Sequence, residues 1–394
     1  MTGALEGIRV LDLSRALAGP FATMTLGDMG ADVVKIEEPG AGDTTRGYPP
    51  FWNGQSTYFL STNRNKRAIT LNLARPAGQE ILQRLSSDAD ILIESFRSGA
   101  MERWNIGWDV LHGINPRLVY CAISAAGRDG PDKDRAGVDL LMQAYAGLMS
   151  ITGEPASTPV RTGTSVVDLS TGANAAQGIL AALYVRERTG KGQRVDVSLL
   201  GSTIAWMTYH AVAYFATGTV PRPMGSSHPS VAPYGAFPTS DGFLVVAIAF
   251  DSHWRKFCEV TGNPDFANHP RFKTNAARIE NREFMEETVT TLLSEQTALE
   301  WASLMDAAGV PCSPIHSLDQ VMDLPQVLQQ GYVASVPHPD IGDLRMPGIH
   351  ISLSGTPSSI RLPPPRLGEH NHEVLSEAGY SAKEIAAFVD SGVI

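Results

Sequence analysis

Cysteine is scarce in this chain: Cys121, Cys258 and Cys312 are the only three in 394 residues. They are too few and too dispersed for a disulfide framework, and none stands at a zinc-ligand spacing, so a reducing cytoplasm is the expected compartment. Long apolar runs are missing too. No segment reaches the ~18 uninterrupted apolar residues of a membrane span, and Met1-Thr2-Gly3-Ala4-Leu5-Glu6-Gly7 lacks the basic and apolar regions of a signal peptide. Positive charge is short, with 31 Lys and Arg against 41 Asp and Glu and a net charge of −10. Nucleic acid is thereby disfavoured as the main partner, and an anionic small ligand must find a local positive pocket. No G-x-G-x-x-G turn, P-loop, H-E-x-x-H or serine nucleophile elbow occurs. His370 and His372 are two apart in a loop, and His210, His228 and His253 have no paired Cys or His nearby, so no metal centre is expected.

What is present is an alternation of apolar strands and helices. Ile8-Arg9-Val10-Leu11-Asp12-Leu13 reads as a buried strand. Residues 18–30, with Pro20 in the first turn and Gly30 as the stop, read as a helix, and Ala31-Asp32-Val33-Val34-Lys35-Ile36-Glu37 as a second strand. This β-α-β unit begins a doubly wound α/β sheet. Further strands are expected at residues 68–73, 89–95, 117–124 and 193–199, and helices at 76–88, from 137, at 173–186 and, as one long helix, at 200–217. The chain exceeds the usual size of a single core. The Pro-, Gly- and Ser-rich run at 220–229 therefore marks a domain boundary, with a large domain of residues 1–220 and 325–394 and a smaller α+β domain of residues 221–324. Thr297-x-x-Glu300 and Ser381-x-x-Glu384 are capping boxes.

Chemistry concentrates at Val166-Val167-Asp168-Leu169-Ser170-Thr171-Gly172, which puts one carboxylate just before or within the first turn of a helix. Free backbone N–H groups and the positive dipole end favour its ionised form there, and a poorly hydrated carboxylate is a competent nucleophile. The local sequence taken alone favours a plain N-cap, since Asp is a common capping residue. Asn63-Arg64-Asn65-Lys66-Arg67 is a compact basic cluster, either a solvated strand entry or a phosphate contact. Arg97 and Arg103 follow a strand, where ligands gather in open α/β sheets, and are either phosphate contacts or ordinary exposed arginines.

The ordered set of motifs resembles the class III CoA-transferases over nearly the whole chain. The matching pieces are Leu5-Glu6-Gly7-Ile8-Arg9-Val10-Leu11-Asp12, Leu17-Ala18-Gly19-Pro20, Val34-Lys35-Ile36-Glu37 with Gly42-Asp43, and the basic cluster. Phe96-Arg97-x-Gly99, Asp168 with Thr171-Gly172, Thr189-Gly190-Lys191-Gly192-Gln193 and Pro365-x-Leu367-Gly368-Glu369-His370 complete the set. The resemblance is closest to the branch that moves CoA between dicarboxylic acids, of the succinate–hydroxymethylglutarate type. It implies a Rossmann-like large domain, an inserted small domain and an interlocked, ring-like homodimer. Asp168 is on this reading a nucleophile that passes through an acyl anhydride and an aspartyl-CoA thioester. Leu17, Ala18, Leu71, Asn72, Leu73, Ser95, Phe96, Arg97, Arg103 and Val138 would line the acyl-CoA site, with coenzyme A as part of the substrate and no tightly bound cofactor.

The chain departs from its family at several points. Leu17 stands where formyl-CoA transferase has glutamine, Ala125-Ala126 where many members have a Gly-aromatic pair, and Ser95 where many have asparagine. The glycine-rich lid is absent, with Gly225-Ser226-Ser227-His228 as its substitute. Val138 replaces the Tyr of many transferases and the His of α-methylacyl-CoA racemases, and valine cannot carry a proton. A racemase or epimerase, and a non-catalytic acyl-CoA binding protein, are the alternative readings. Arg46, Arg222 and His228 are candidates to pair with the distal carboxylate of an acid substrate.

Overall fold

In a computed structural model of the chain, which describes residues 3–394, the apolar runs become a parallel sheet. Its strands are β1 (Arg9–Asp12), β2 (Asp32–Glu37), β3 (Lys66–Thr70), β4 (Ile91–Glu94), β5 (Val119–Ser124) and β6 (Arg194–Ser198). They lie in the order β3-β2-β1-β4-β5-β6, every pair parallel. Strands sandwiched between helix layers read as near-continuous apolar runs, as β4 and β5 do, whereas the edge strand β6 alternates between exposed and half-buried residues. One face packs Leu11, Val34, Ile69, Leu92 and Tyr120 against Ile81, Leu82, Leu111, Val374 and Ile385 in a single core. On the other face α1 (Ala18–Asp28) lies against α7 (Val166–Thr189), with α2 (Thr57–Thr62), α3 (Pro76–Ser86), α4 (Ala100–Arg103), α5 (Trp108–Ile114) and α6 (Asp139–Tyr145) between them in sequence.

Close backbone approaches fix this packing. A Cβ on Gly172 would stand 2.4 Å from the Ala18 carbonyl oxygen, so α7 can touch the start of α1 only with glycine there. Gly190, in the left-handed region, ends α7, and a Cβ on Gly192 would lie 2.0 Å from the Leu118 oxygen. The Thr189-Gly190-Lys191-Gly192-Gln193 motif is thus a helix stop that seats β6 beside β5. The carboxyl-terminal motif protects a sheet edge. The Ala68 N–H donates to His370 Nδ1 (3.1 Å), the His370 N–H to the Ala68 oxygen (2.9 Å) and the Thr70 N–H to Asn371 Oδ1 (2.8 Å), which covers the free side of β3.

The chain divides into two compact units, one of residues up to Ala146 with Gly163–Ala211 and Pro325–Ile394, the other of Gly147–Thr162 and Val212–Leu324. The second carries a three-stranded antiparallel sheet of Tyr234–Pro238, Phe243–Ala247 and Cys312–Pro314. Its core joins Phe237, Leu244, Trp254, Phe257, Met285 and Trp301. Both expected capping boxes form, at Thr297 and Ser381. The expected long helix at 200–217 is instead two, Leu199–Trp206 and Thr208–Thr217, broken where Thr208 takes a φ of +30°.

Candidate active site

Where strand order reverses beside β1, the connections leaving β1 and β4 diverge and open a crevice at their carboxyl ends. The loop after β1 is fixed by buried ions. Asp12 accepts from the Ser14 hydroxyl, from Thr23 Oγ1 (2.6 Å) and from Lys66 Nζ (3.0 Å), and Lys35 Nζ donates to the Ser14 oxygen (3.1 Å) and to Asp43 (3.0 Å). All four ionised side chains are essentially inaccessible to water. Burial would raise the Asp12 carboxyl, but Lys66, Lys35 and the two hydroxyls outweigh it and hold it well below the usual carboxylate range. The loop reaches across the crevice, the Arg15 N–H donating to Ser95 Oγ (3.0 Å) just after β4.

Asp168 faces this loop. Helix α7 begins at Val166 with Ser165 as its N-cap, so Asp168 is a first-turn residue and not the cap. The expectation that free N–H groups hold it ionised is corrected by Asp139, at the start of α6. The Val167 and Asp168 N–H groups donate to Asp139 Oδ2 at 2.9 and 3.3 Å, and Asp139 thus takes the anion position at the amino end of α7. The Asp168 carboxyl, half-buried, has no hydrogen-bond donor among the described residues. Burial, and then the Asp139 charge, push it up to about 7. Burial and the Asp168 charge also push up the phenol of Tyr58, which hydrogen-bonds the Ser165 side chain.

Three neighbouring cavities share walls here. One of about 190 Å³ holds Asp168 with Arg15, Leu17, Ala18, Ser95 and Val138. A second, of about 240 Å³, shares Ser95 and adds Phe96, Arg97, Lys133 and Arg135. A third, of about 220 Å³, joins Leu71, Asn72 and Leu73 to Arg15 and Phe96. Nine of the ten residues expected to line an acyl-CoA site therefore stand around one connected crevice. Arg103 stands exposed on α4, outside these three walls. Leu71 and Leu73 are also core residues, which leaves the half-buried Asn72 as the more accessible of the three. The crevice pairs a desolvated carboxylate with a basic patch next to it, which suits nucleophilic attack on an anionic acyl carrier.

Other expected residues are committed elsewhere. Arg64 donates to both Asp28 oxygens (2.9 and 2.7 Å), Lys66 is buried with Asp12, and Arg67 pairs with Asp32, Glu373 and Glu377. The basic cluster thus ties sheet to helices and leaves no phosphate site. Arg46 grips Glu37 through two 2.7 Å bonds and lies over the Phe59 ring, so its charge is already neutralised and it is no longer a candidate for a distal carboxylate. Arg222 and His228 belong to the second unit. There Gly225 donates to the Gly153 oxygen (2.8 Å), and Arg282 donates to the His228 oxygen (2.9 Å). Sequence reasoning missed Arg15, Tyr58, Lys133, Arg135 and Asp139. Only Arg15 and Asp139 carried a signal, each lying beside a residue already singled out.

Residues 5–371 match the model of CoA-transferase family III. Succinyl-CoA:glutarate CoA-transferase of Mus musculus is 40% identical over 99% of this chain and 90% of its own length. Succinate–glutarate CoA-transferase of Agrobacterium fabrum is 37% identical over 95% of each. Among solved structures, a CaiB/BaiF family protein from Brucella suis superposes with a TM-score of 0.85 at 33% identity, covering 96% of this chain and all of that one.

Proposed function

From the premise that the chain belongs to CoA-transferase family III, we propose that it moves CoA from succinyl-CoA, or another dicarboxylyl-CoA, to a free carboxylic acid through Asp168. The observation that carries this reading is the Asp168 carboxyl, to which no described residue donates, in the crevice between β1 and β4. Its carboxylate attacks the thioester carbonyl, the C–S bond breaks, and a mixed anhydride and CoA thiolate result. The thiolate then attacks the aspartyl carbonyl, expelling the donor acid and leaving an aspartyl-CoA thioester. The acceptor carboxylate attacks that thioester, releases the thiolate and forms a second anhydride. Attack of the thiolate on the acceptor's carbonyl yields the new acyl-CoA and returns Asp168. A covalent route gains the effective molarity of a held neighbour. Arg97, Lys133 and Arg135 would hold the phosphates of CoA, and Arg15 and Phe96 its middle section.

A racemase would need a second acid–base group at the wall where Val138 stands. The relatives that act on succinyl-CoA and glutarate support the choice of dicarboxylic acids. On the same reading the working protein is an interlocked homodimer with residues 221–324 as the core of an inserted small domain. The exposed Tyr184, Ile204 and Trp206 of the first unit and Phe215 and Val220 of the second support a buried subunit interface. The test is incubation with succinyl-CoA and a panel of acids, following new CoA esters by mass. Quenching with hydroxylamine should label the peptide bearing Asp168. No exchange with any acid, or label on another carboxylate, would overturn the proposal.

A further inference from the structure

A fourth cavity adjoins the Asp168 cavity at Leu17. At about 560 Å³ it is more than twice the size of any of the three cavities of the crevice, and Leu17 is common to its wall and to that of the cavity holding Asp168. Leu17, Phe21, Met24 and Leu169 make it largely apolar, and Leu169 follows the nucleophile directly. Tyr58, which senses the Asp168 charge, lies on the same wall. The hairpin of Val333–His338 and Gly342–Pro347, seated on Leu60 of α2, brings Tyr332 and His350 to its rim. Of its two basic residues, Arg64 is bound to Asp28 and to two backbone carbonyls, so its charge is already balanced. His350 is exposed and stacks on Phe21 at 5.8 Å, and is the one remaining group among the described lining residues able to carry a positive charge.

We propose that this chamber receives the part of the acid substrate beyond its reacting carboxyl, and that His350 meets a second, distal carboxylate at its rim. The inference rests on the transferase reading and adds a substrate class. Chamber size and apolar walls favour aliphatic dicarboxylic acids with chains of about five to eight carbon atoms over shorter ones, since a longer methylene body fills more of the space. His350 discriminates between acids with and without a distal charge, and the apolar wall sets the length.

Acceptor kinetics with succinate, glutarate, adipate and hexanoate test this on the full chain. The wild type should show kcat/KM rising from succinate to adipate. Ser61→Phe, which adds a ring to the chamber wall, should cut kcat/KM for adipate by about tenfold and leave succinate within about twofold. His350→Gln should raise KM for adipate by about tenfold and leave hexanoate unchanged. Equal effects on all acceptors, or none, overturn the assignment. Exchange of labelled succinate with succinyl-CoA is measured in parallel on each variant. Exchange intact beside indifferent acceptors sinks the chamber alone, whereas its absence in the wild type sinks the transferase reading and the chamber with it.

Discussion

Asp12 holds the loop after β1 from the sheet side and Asp168 faces the same loop across a cavity, yet their carboxyls are driven in opposite directions. Asp12 is the more deeply buried and is held below the usual range, because two lysines and two hydroxyls surround it. Asp168 is only half-buried and rises to about 7, because burial raises it, Asp139 faces it and no described residue donates to it. Burial raises both; partners decide the sign. The first region is a fastening whose Asp12 carboxylate stays charged at neutral pH, while burial draws the Lys66 ammonium down to about 8. The second leaves a carboxylate without a hydrogen-bond donor among the described residues, and such departures cluster at functional sites.

The sharpest way to break the comparison is to remove the partnerless carboxyl. Asp168→Ala should lower kcat by about a thousandfold or more while the Kd for CoA, measured by calorimetry, stays within about threefold. Loss of CoA binding to the same extent would make Asp168 a structural residue. The stability of the folded state should move the other way. A carboxyl with its folded value raised keeps a proton that the unfolded chain has lost, so it weakens the fold progressively as pH climbs from about 4 to about 7 and fully above that. Asp168→Asn should therefore raise the urea midpoint at pH 8 and leave it unchanged at pH 4. Water access to the site limits the gain to about 1 kcal/mol.

Breaking the fastening should have the opposite signature. Asp12→Asn strands the Lys66 charge in a water-free site, while Lys35 keeps Asp43, and is expected to cost about 3–5 kcal/mol of stability, read from urea unfolding. Asp12→Asn combined with Lys66→Met should recover much of that loss, since an uncompensated ion costs more than a missing pair. If the single variant is as stable as the wild type, the ions are not what fixes the loop.

How far this division could be read from the chain depends on the distance between partners. The strands, the helix stop at Gly30 and the capping boxes at Thr297 and Ser381 rest on neighbours within a few residues and appear where expected, except that the strand expected at 68–73 runs from Lys66 to Thr70. Lys66 and Arg64 look like a surface patch because their partners, Asp12 and Asp28, are far away in sequence and become neighbours only through β3-β2-β1 pairing. Helix α2 has six residues and no room to show periodicity, and the break at Thr208 carries neither Gly nor Pro. At the site, Asp168, Leu17 and Arg97 were visible through an ordered set of motifs. The chamber wall was not, because Phe21, Leu169 and His350 come from segments that no local pattern links.

Asp139 offers the finest adjustment of the same contrast, because it acts on Asp168 through its charge and on α7 through its oxygen. The attacking form of Asp168 is the ionised one, so kcat/KM for the acyl-CoA should rise with pH and level off above about 7. Asp139→Asn keeps an oxygen able to accept from the Val167 and Asp168 N–H groups, yet removes the like charge. The midpoint of that profile should then fall by roughly one pH unit with the helix intact, and activity at pH 6 should rise relative to that at pH 8. Asp139→Ala removes both functions, and circular dichroism with urea unfolding should show the added loss of the cap, about 1 kcal/mol. A profile that Asp139→Asn leaves in place would mean that burial alone sets the Asp168 carboxyl and that Asp139 serves the helix only.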